Sequence, residues 1–196
     1  SGVRVKSDPL YYENLPDNIN LQTIHTTKSP KLIDIINVIN TKSFNLYAET
    51  LALHITEEFN QDFRELIKEF WKKRGMNTDG LFIDDACGLS PFNGATPSQI
   101  VFLLDYMKNK STNTELFVKS LPVSGESGTL RGAFTNPKTK GKIRAKSGSM
   151  TRVRAYAGYI ELNTGDEAAF CIIINNYDCS ASHVRSLIED LFTEII

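Results

Sequence analysis

Apolar residues recur at helical spacing through the first half of the chain. One broad apolar face follows Pro30 and consists of Leu32, Ile33, Ile35, Ile36 and Ile39. This spacing is typical of an amphipathic helix that buries one side. A break at 41–43 separates it from a second predicted helix over about 45–59, in which Leu46, Tyr47, Leu51, Leu53 and Ile55 are expected to face inward. A third helix is predicted over about 62–74, where Gly75 provides a natural stop.

A fourth helix has a clear start signal in Thr96-Pro97-Ser98-Gln99. Thr96 can cap the helix, Pro97 suits the first turn, and Gln99 completes a capping box. A short helix over 114–120 follows. Glycine-rich segments over 80–95 and 125–132 interrupt the helical pattern and predict loops.

The pattern then changes to strands, predicted over 143–150, 152–162 and 167–175. The turn residues Asn163-Thr164-Gly165-Asp166 join the last two, so these two strands should form an antiparallel hairpin. A closing amphipathic helix carries Val184, Leu187, Ile188, Leu191 and Phe192 on one face. Helices, then strands, then one helix predict an α+β fold with a helix packed on an antiparallel sheet.

Composition narrows the function classes. The 196 residues carry a formal net charge of −1, which gives no support for a nucleic-acid partner. No apolar run approaches the roughly 20 residues that a membrane-spanning helix needs. The cysteines Cys87, Cys171 and Cys179 lack the spacing of a metal site. A bridge between Cys171 and Cys179 stays open at this point.

Two short motifs carry candidate chemistry. Ser43-Phe44-Asn45 lies at the junction of two predicted helices, and Lys146-Ser147-Gly148 lies on the first predicted strand. Such S-x-N and K-T-G elements accompany an S-x-x-K nucleophile in β-lactamases and penicillin-binding proteins. Each motif alone is weak, because three-residue patterns with a free position arise by chance in many chains.

The surrounding segments strengthen the signal. Four blocks in order resemble the class C low-molecular-mass penicillin-binding proteins, the D-alanyl-D-alanine carboxypeptidase/endopeptidase (peptidase S13) type. The blocks are 29–49, which contains Ser43-Phe44-Asn45; Asp84-Asp85-Ala86-Cys87-Gly88-Leu89-Ser90; Leu121-Pro122-Val123-Ser124-Gly125 with Gly128-Thr129-Leu130; and Ala145-Lys146-Ser147-Gly148-Ser149-Met150 with Ala157-Gly158-Tyr159. The resemblance covers 29–196 and implies the C-terminal part of the transpeptidase domain, with 1–28 as the remnant of a preceding segment.

The resemblance implies a role for each motif residue. Ser43 would relay a proton towards the leaving amine, Asn45 would hold a substrate amide, and Lys146 would supply positive charge beside Ser43. Three strand residues, Ser147, Gly148 and Ser149, would bind the substrate. The hydroxyls of Ser147 and Ser149 would hold its terminal carboxylate, and the backbone N–H of Ser149 would form half of an oxyanion hole. Ser147 replaces the commoner threonine of the family and keeps the hydroxyl.

One element of the family pattern is missing from the sequence. No serine in the 196 residues is followed three positions later by lysine. We therefore expect a fragment of a D-Ala-D-Ala carboxypeptidase, inactive alone, whose nucleophile lies upstream of Ser1. A non-catalytic envelope protein that binds peptidoglycan or a partner is the alternative. A β-lactamase is a second rival, although the blocks at 84–90 and 121–130 favour the carboxypeptidase branch.

Partners and location also follow from the resemblance. It implies peptidoglycan stem peptides ending in D-Ala-D-Ala, with β-lactams as acylating mimics, no metal or organic cofactor, and a periplasmic or other extracytoplasmic location. Self-association, or coverage by the segment 3–27, is expected where sheet elements are missing. Two further features are predicted to have structural roles only. Asp84-Asp85 is expected in a solvated loop, and His54 is expected to pack within a helix.

Overall fold

The computed structural model describes residues 22–196, in which six α-helices, one short 3₁₀ turn and a three-stranded sheet are found. The helices are α1 Leu32–Lys42, α2 Asn45–Phe59, α3 Phe63–Lys72, α4 Pro97–Asn109, α5 Thr114–Ser120 and α6 Ala181–Ile195. The strands are β1 Ile143–Met150, β2 Val153–Glu161 and β3 Glu167–Asn175. The predicted α+β order is confirmed. Most of the predicted remnant segment 1–28 lies outside the described residues.

Local signals place the helix ends well. The Thr96 side chain accepts from the backbone N–H of Gln99, and the Gln99 side chain accepts from the Thr96 N–H, so the predicted capping box is formed. The predicted break at 41–43 is narrower than expected. Helix α1 continues through Lys42, and the break consists of Ser43, with φ 54° and ψ 49°, and Phe44, which is extended.

The sheet is antiparallel with the order β1-β2-β3, and the hairpin predicted between its last two strands is confirmed. The backbones of β1 and β2 approach closely at Gly158, which pairs with Ala145. A Cβ atom at Gly158 would lie 2.0 Å from the Arg144 carbonyl oxygen. Only glycine fits this crossing without displacing a strand.

Side chains alternate between the two faces of the sheet. On one face, Tyr156 and Ile160 of β2 pack with Val184, Ile188 and Phe192 of α6. On the other, Tyr159 packs with Leu104 of α4 and donates its phenolic hydrogen to the Leu104 carbonyl, 2.8 Å away. Residues 31–196 form one compact unit around these layers.

Helix α2 departs from the sequence prediction. Leu46, Tyr47 and Leu53, expected to face inward, are 65%, 38% and 63% exposed, and Ala52 is the buried residue of the helix. His54 is exposed, so its reading as a packed residue is wrong. Helix α2 contacts α1 and α3 within this unit. Contacts within residues 31–196 therefore leave much of the apolar surface of α2 exposed.

Candidate active site

Ser43 lies at the end of α1, where the chain turns into α2. Its left-handed backbone is rare for a residue with a Cβ, and here it ends α1 two residues before α2 begins. The Ser43 Oγ accepts a hydrogen bond from the Lys146 Nζ at 2.8 Å, across 103 residues of sequence. The predicted convergence of Ser43 and Lys146 is therefore confirmed.

Lys146 projects from β1 on the sheet face that carries Ala157 and Tyr159. Its Nζ also donates to the Ser147 carbonyl oxygen at 2.7 Å. It forms no ion pair with any residue from 22 to 196, and burial lowers the pKa of its ammonium from the ordinary value. Lys146 is therefore a partly desolvated cation. Its side-chain hydrogen-bond partner among residues 22–196 is the hydroxyl of Ser43.

Asn45 is the first residue of α2, two positions after Ser43. Its side chain is half-buried and takes no part in the Ser43–Lys146 hydrogen bond. Between the two, Phe44 packs edge to face against Tyr47, with ring centroids 4.7 Å apart. The motif thus places one hydroxyl and one amide at the junction of α1 and α2, beside an exposed aromatic pair.

Ser147, Gly148 and Ser149 lie at the outer edge of β1, where no strand formed by residues 22–196 pairs with them. Earlier in β1, the N–H of Ala145 donates to the Pro122 carbonyl on the outer side. Backbone direction alternates along a strand, so the N–H groups of Ser147 and Ser149 point to that same side. Gly148 and Ser149 are exposed. This edge can pair with an extended peptide.

Thr129 and Gly128, in the turn at 128–130, help to position this edge. The sequence alone did not indicate a role for either residue. Thr129 accepts a hydrogen bond from the Ser147 hydroxyl at 2.8 Å. Gly128 has φ 53°, and a Cβ there would lie 2.7 Å from the Thr41 carbonyl oxygen. Glycine at this position lets the turn close against the end of α1. The signal was present in the Gly128-Thr129-Leu130 block, but only the fold shows its contacts.

The 84–93 loop is organised by Asp85 rather than solvated as predicted for the Asp84-Asp85 pair. Asp84 is exposed, whereas Asp85 accepts from the backbone N–H groups of Gly88, Leu89 and Ser90 and from the Asn93 side chain. Burial alone would raise the pKa of Asp85, but these hydrogen bonds outweigh it and lower the pKa below its ordinary value.

Glu49 fastens this loop to α2, because its Oε1 accepts from the N–H groups of Ala86 and Cys87. Ligand atoms of Glu49, Asp85 and Cys87 lie within 4.8 Å of one another, and they are the residues in the described part that could hold a metal. Backbone N–H groups already occupy both carboxylates, so the cluster acts as a loop clamp. All three cysteines are free, which closes the question of a Cys171–Cys179 bridge.

The sequence profile of the D-Ala-D-Ala carboxypeptidase 3 (S13) family matches residues 1–193. A D-alanyl-D-alanine carboxypeptidase DacB of Haemophilus influenzae is 27% identical over 159 residues, which are 76% of this chain and 33% of the relative. The chain spans about a third of the length of curated relatives such as this one.

Solved structures share the fold. Penicillin binding protein 4 (dacB) of Haemophilus influenzae matches with a TM-score of 0.71 and 24% identity, over 81% of this chain and 39% of that one. The TLA-1 extended spectrum β-lactamase matches with a TM-score of 0.63 and 17% identity, over 82% of this chain and 61% of that one. The architecture is therefore that of penicillin-binding proteins and β-lactamases. Within residues 22–196, no helix has the length and apolar character to span a bilayer.

Proposed function

The chain belongs to the D-Ala-D-Ala carboxypeptidase 3 (S13) family, and on that premise we propose that it carries the proton-relay and substrate-binding side of a serine carboxypeptidase or endopeptidase site. The substrate class is the peptidoglycan stem peptide ending in D-Ala-D-Ala, cleaved through an acyl-enzyme. The observation that carries the proposal is the 2.8 Å contact between Lys146 Nζ and Ser43 Oγ, next to an open strand edge.

The geometry supports a division of roles. A serine hydroxyl that accepts from an ammonium keeps its own hydrogen free to donate, so Ser43 can pass a proton towards a leaving amine. Lys146 adds positive charge where a peptide carboxylate approaches. The β1 edge at 147–149 would align the peptide by backbone hydrogen bonds, with the Ser149 N–H directed at the scissile carbonyl. Asn45 would hold a substrate amide from the start of α2.

The nucleophile is the part of the chemistry that this chain does not supply. A serine attacks efficiently only when a neighbouring base takes its proton, and this sequence contains no S-x-x-K. We propose that the acylating serine and its lysine lie outside the 196 residues. A non-catalytic binding protein of the same fold is the alternative, since it would keep the β1 edge without any nucleophile.

The proposal extends to the ligands, the cofactors and the cellular location of the complete site. β-Lactams are proposed as ligands of the complete site, the location as periplasmic or otherwise extracytoplasmic, and no metal or organic cofactor is assigned. Self-association of the chain stays a prediction. Three apolar side chains of α2, Leu46, Leu53 and Phe59, are each more than 60% exposed, but they lie on a helix and not on the sheet where that association is expected.

Peptide titration tests the proposed substrate class. We expect an N-acetylated peptide ending in D-Ala-D-Ala to shift the amide resonances of Ser147, Gly148 and Ser149 in ¹⁵N NMR spectra. The same peptide ending in L-Ala-L-Ala should bind several-fold more weakly, because inversion at each Cα redirects the methyl groups when the peptide backbone is held in the same pairing with β1. Lys146→Met should weaken binding of the D-isomer, whereas Lys110→Met, an exposed change at the end of α4, should not.

Two results would contradict the proposal. One is an equal response to both stereoisomers, which would indicate non-specific edge pairing. The other is a set of shifts that omits β1 altogether, which would place any peptide site elsewhere on the chain.

A further inference from the structure

Helix α1 ends at the proposed relay residue, and apolar packing within residues 22–196 holds it only loosely. None of its eleven residues is buried against that part of the chain. A polar contact ties the helix to α5 instead: the Asn40 side chain donates from Nδ2 to the Ser120 hydroxyl at 2.8 Å, across 80 residues of sequence. Asn40 lies about one helical turn before Ser43, so this bond holds the end of α1 from which Ser43 projects.

Ser120 is a fixed anchor for this bond. It is the last residue of α5 and is 2% exposed. Its hydroxyl donates its one hydrogen to the Phe117 carbonyl oxygen at 2.7 Å, so it can only accept from Asn40. The NH₂ group of the Asn40 amide must therefore face Ser120. Removal of either side chain would leave the other without its partner, which costs free energy at a buried position.

From Ser120 the chain runs directly to the first residues of β1. Pro122 and Ser124 are fully buried beside that strand. The N–H of Ala145 donates to the Pro122 carbonyl oxygen at 3.0 Å, and the N–H of Ser124 donates to the Ile143 carbonyl oxygen at 2.9 Å. The N–H of Ile143 in turn donates to the Ser124 hydroxyl at 3.1 Å. The segment that follows α5 is thus fastened to β1 immediately before the lysine of the site.

These contacts close a ring around the proposed relay. The ring runs from Asn40 to Ser120, along the chain to Pro122, across to Ala145 and Lys146, and back to α1 through the Lys146–Ser43 hydrogen bond. Gly128 touches two parts of it, because a Cβ there would lie 2.7 Å from the Thr41 carbonyl oxygen and 3.1 Å from the Pro122 Cγ. Only bare backbone fits between α1 and Pro122, so a shift of α1 changes the Ser43–Lys146 contact directly.

We infer that Asn40 and Ser120 are positioning residues, whose hydrogen bond sets the distance between Ser43 Oγ and Lys146 Nζ. A proton passes between heavy atoms about 3 Å apart, and a displacement of about 1 Å can cost a hundredfold in rate. Asn40 and Ser120 act through the placement of α1 and not through contact with a substrate. This inference rests on the proposed relay role of Ser43 and adds the pair that holds Ser43 in place.

The test follows the exchange of the Lys146 ammonium hydrogens with water, by ¹H–¹⁵N NMR of the lysine side chains and without any peptide. A hydrogen bond slows this exchange, so the rate reports the contact with Ser43. Asn40→Ala and Ser120→Ala should each accelerate it by roughly tenfold, the factor for loss of one hydrogen bond to a charged group. Ser43→Ala supplies the rate for a chain in which the contact is absent.

Three further variants distinguish positioning from a general loss of stability. The double variant Asn40→Ala with Ser120→Ala should exchange no faster than either single variant, because both changes remove the same bond. Ser120→Thr keeps the hydroxyl and should retain slow exchange. Thr41→Val is the matched control on α1, since it removes the hydrogen bond of the Thr41 hydroxyl to the Asn37 carbonyl oxygen within the helix. It should leave the Lys146 rate unchanged.

Several results would overturn the inference. An unchanged Lys146 rate in Asn40→Ala and Ser120→Ala, beside faster exchange in Ser43→Ala, would do so and leave the proposed function intact. Exchange in Thr41→Val as fast as in Asn40→Ala would do so too, because any weakening of α1 would then suffice. Equal rates in Ser43→Ala and the wild type would contradict both the inference and the proposed relay. A D-Ala-D-Ala peptide that fails to shift β1 would overturn the proposed function, whatever the exchange rates.

Discussion

Gly158→Ala is expected to destabilise the chain by about 3 kcal/mol, the upper end of the usual range for overpacking that forces a backbone shift. The added Cβ would lie 2.0 Å from the Arg144 carbonyl oxygen and 2.6 Å from the Ala145 Cα. Both are backbone atoms, so β1 must move away from β2 to make room. Urea unfolding followed by circular dichroism measures the loss as a lower midpoint.

Gly148→Ala is the matched control on the same pair of strands. Its Cβ would meet Ala155 Cβ at 3.6 Å, an ordinary van der Waals contact, so stability should change by less than about 0.5 kcal/mol. Because Arg144 and Ala145 precede Lys146, the Gly158 variant should also disturb the Lys146–Ser43 contact. Equal unfolding midpoints for the two variants would contradict the close approach at Gly158.

Asp85→Asn is expected to cost about 1–3 kcal/mol, because it replaces a charged acceptor of three backbone N–H groups with an amide. The amide NH₂ would face donors on one side and leave them unpaired. Amide hydrogen exchange at Gly88, Leu89 and Ser90 should accelerate in the variant. Asp84→Asn is the control, since Asp84 is exposed and adjacent, and it should leave exchange at these positions unchanged.

The same carboxylate makes a pH prediction. The folded-state pKa of Asp85 lies below its ordinary value of 3.8, so the unfolded chain binds more protons in the interval between the two. Its stabilising contribution is complete above the unfolded pKa and is lost as pH falls through the folded pKa. Asp85→Asn should therefore flatten the acid limb of stability below about pH 4. An acid limb identical to that of the wild type would show that Asp85 does not contribute to the loss of stability at low pH.

The elements of the fold were predictable because their signals are local. The capping box at Thr96 and the turn at 163–166 each depend on neighbours within a few residues. The burial of α2 was not predictable in the same way. Apolar spacing shows that Leu46 and Leu53 share helix faces with other apolar residues, but it does not show which of those faces this chain covers.

In the candidate site, too, the sequence predicts some contacts, and others appear only in the assembled fold. Two motifs 103 residues apart predicted the Ser43–Lys146 contact, because their residue types match one chemistry. The contact of Glu49 with the 84–93 loop and the approach of Gly128 to Thr41 depend on packing between segments that are distant in sequence.

The central claim is that Ser43 and Lys146 serve a nucleophile that these 196 residues do not contain. Intact-mass measurement after incubation with a labelled penicillin tests it most directly, with an S13 carboxypeptidase that contains S-x-x-K as the positive control. We predict that the control gains one penicilloyl group and that the mass of this chain stays unchanged, because the sequence has no S-x-x-K serine and Lys146 donates a hydrogen bond to Ser43 instead of accepting its proton. A stoichiometric penicilloyl adduct on any serine of this chain, Ser43 above all, would contradict the account.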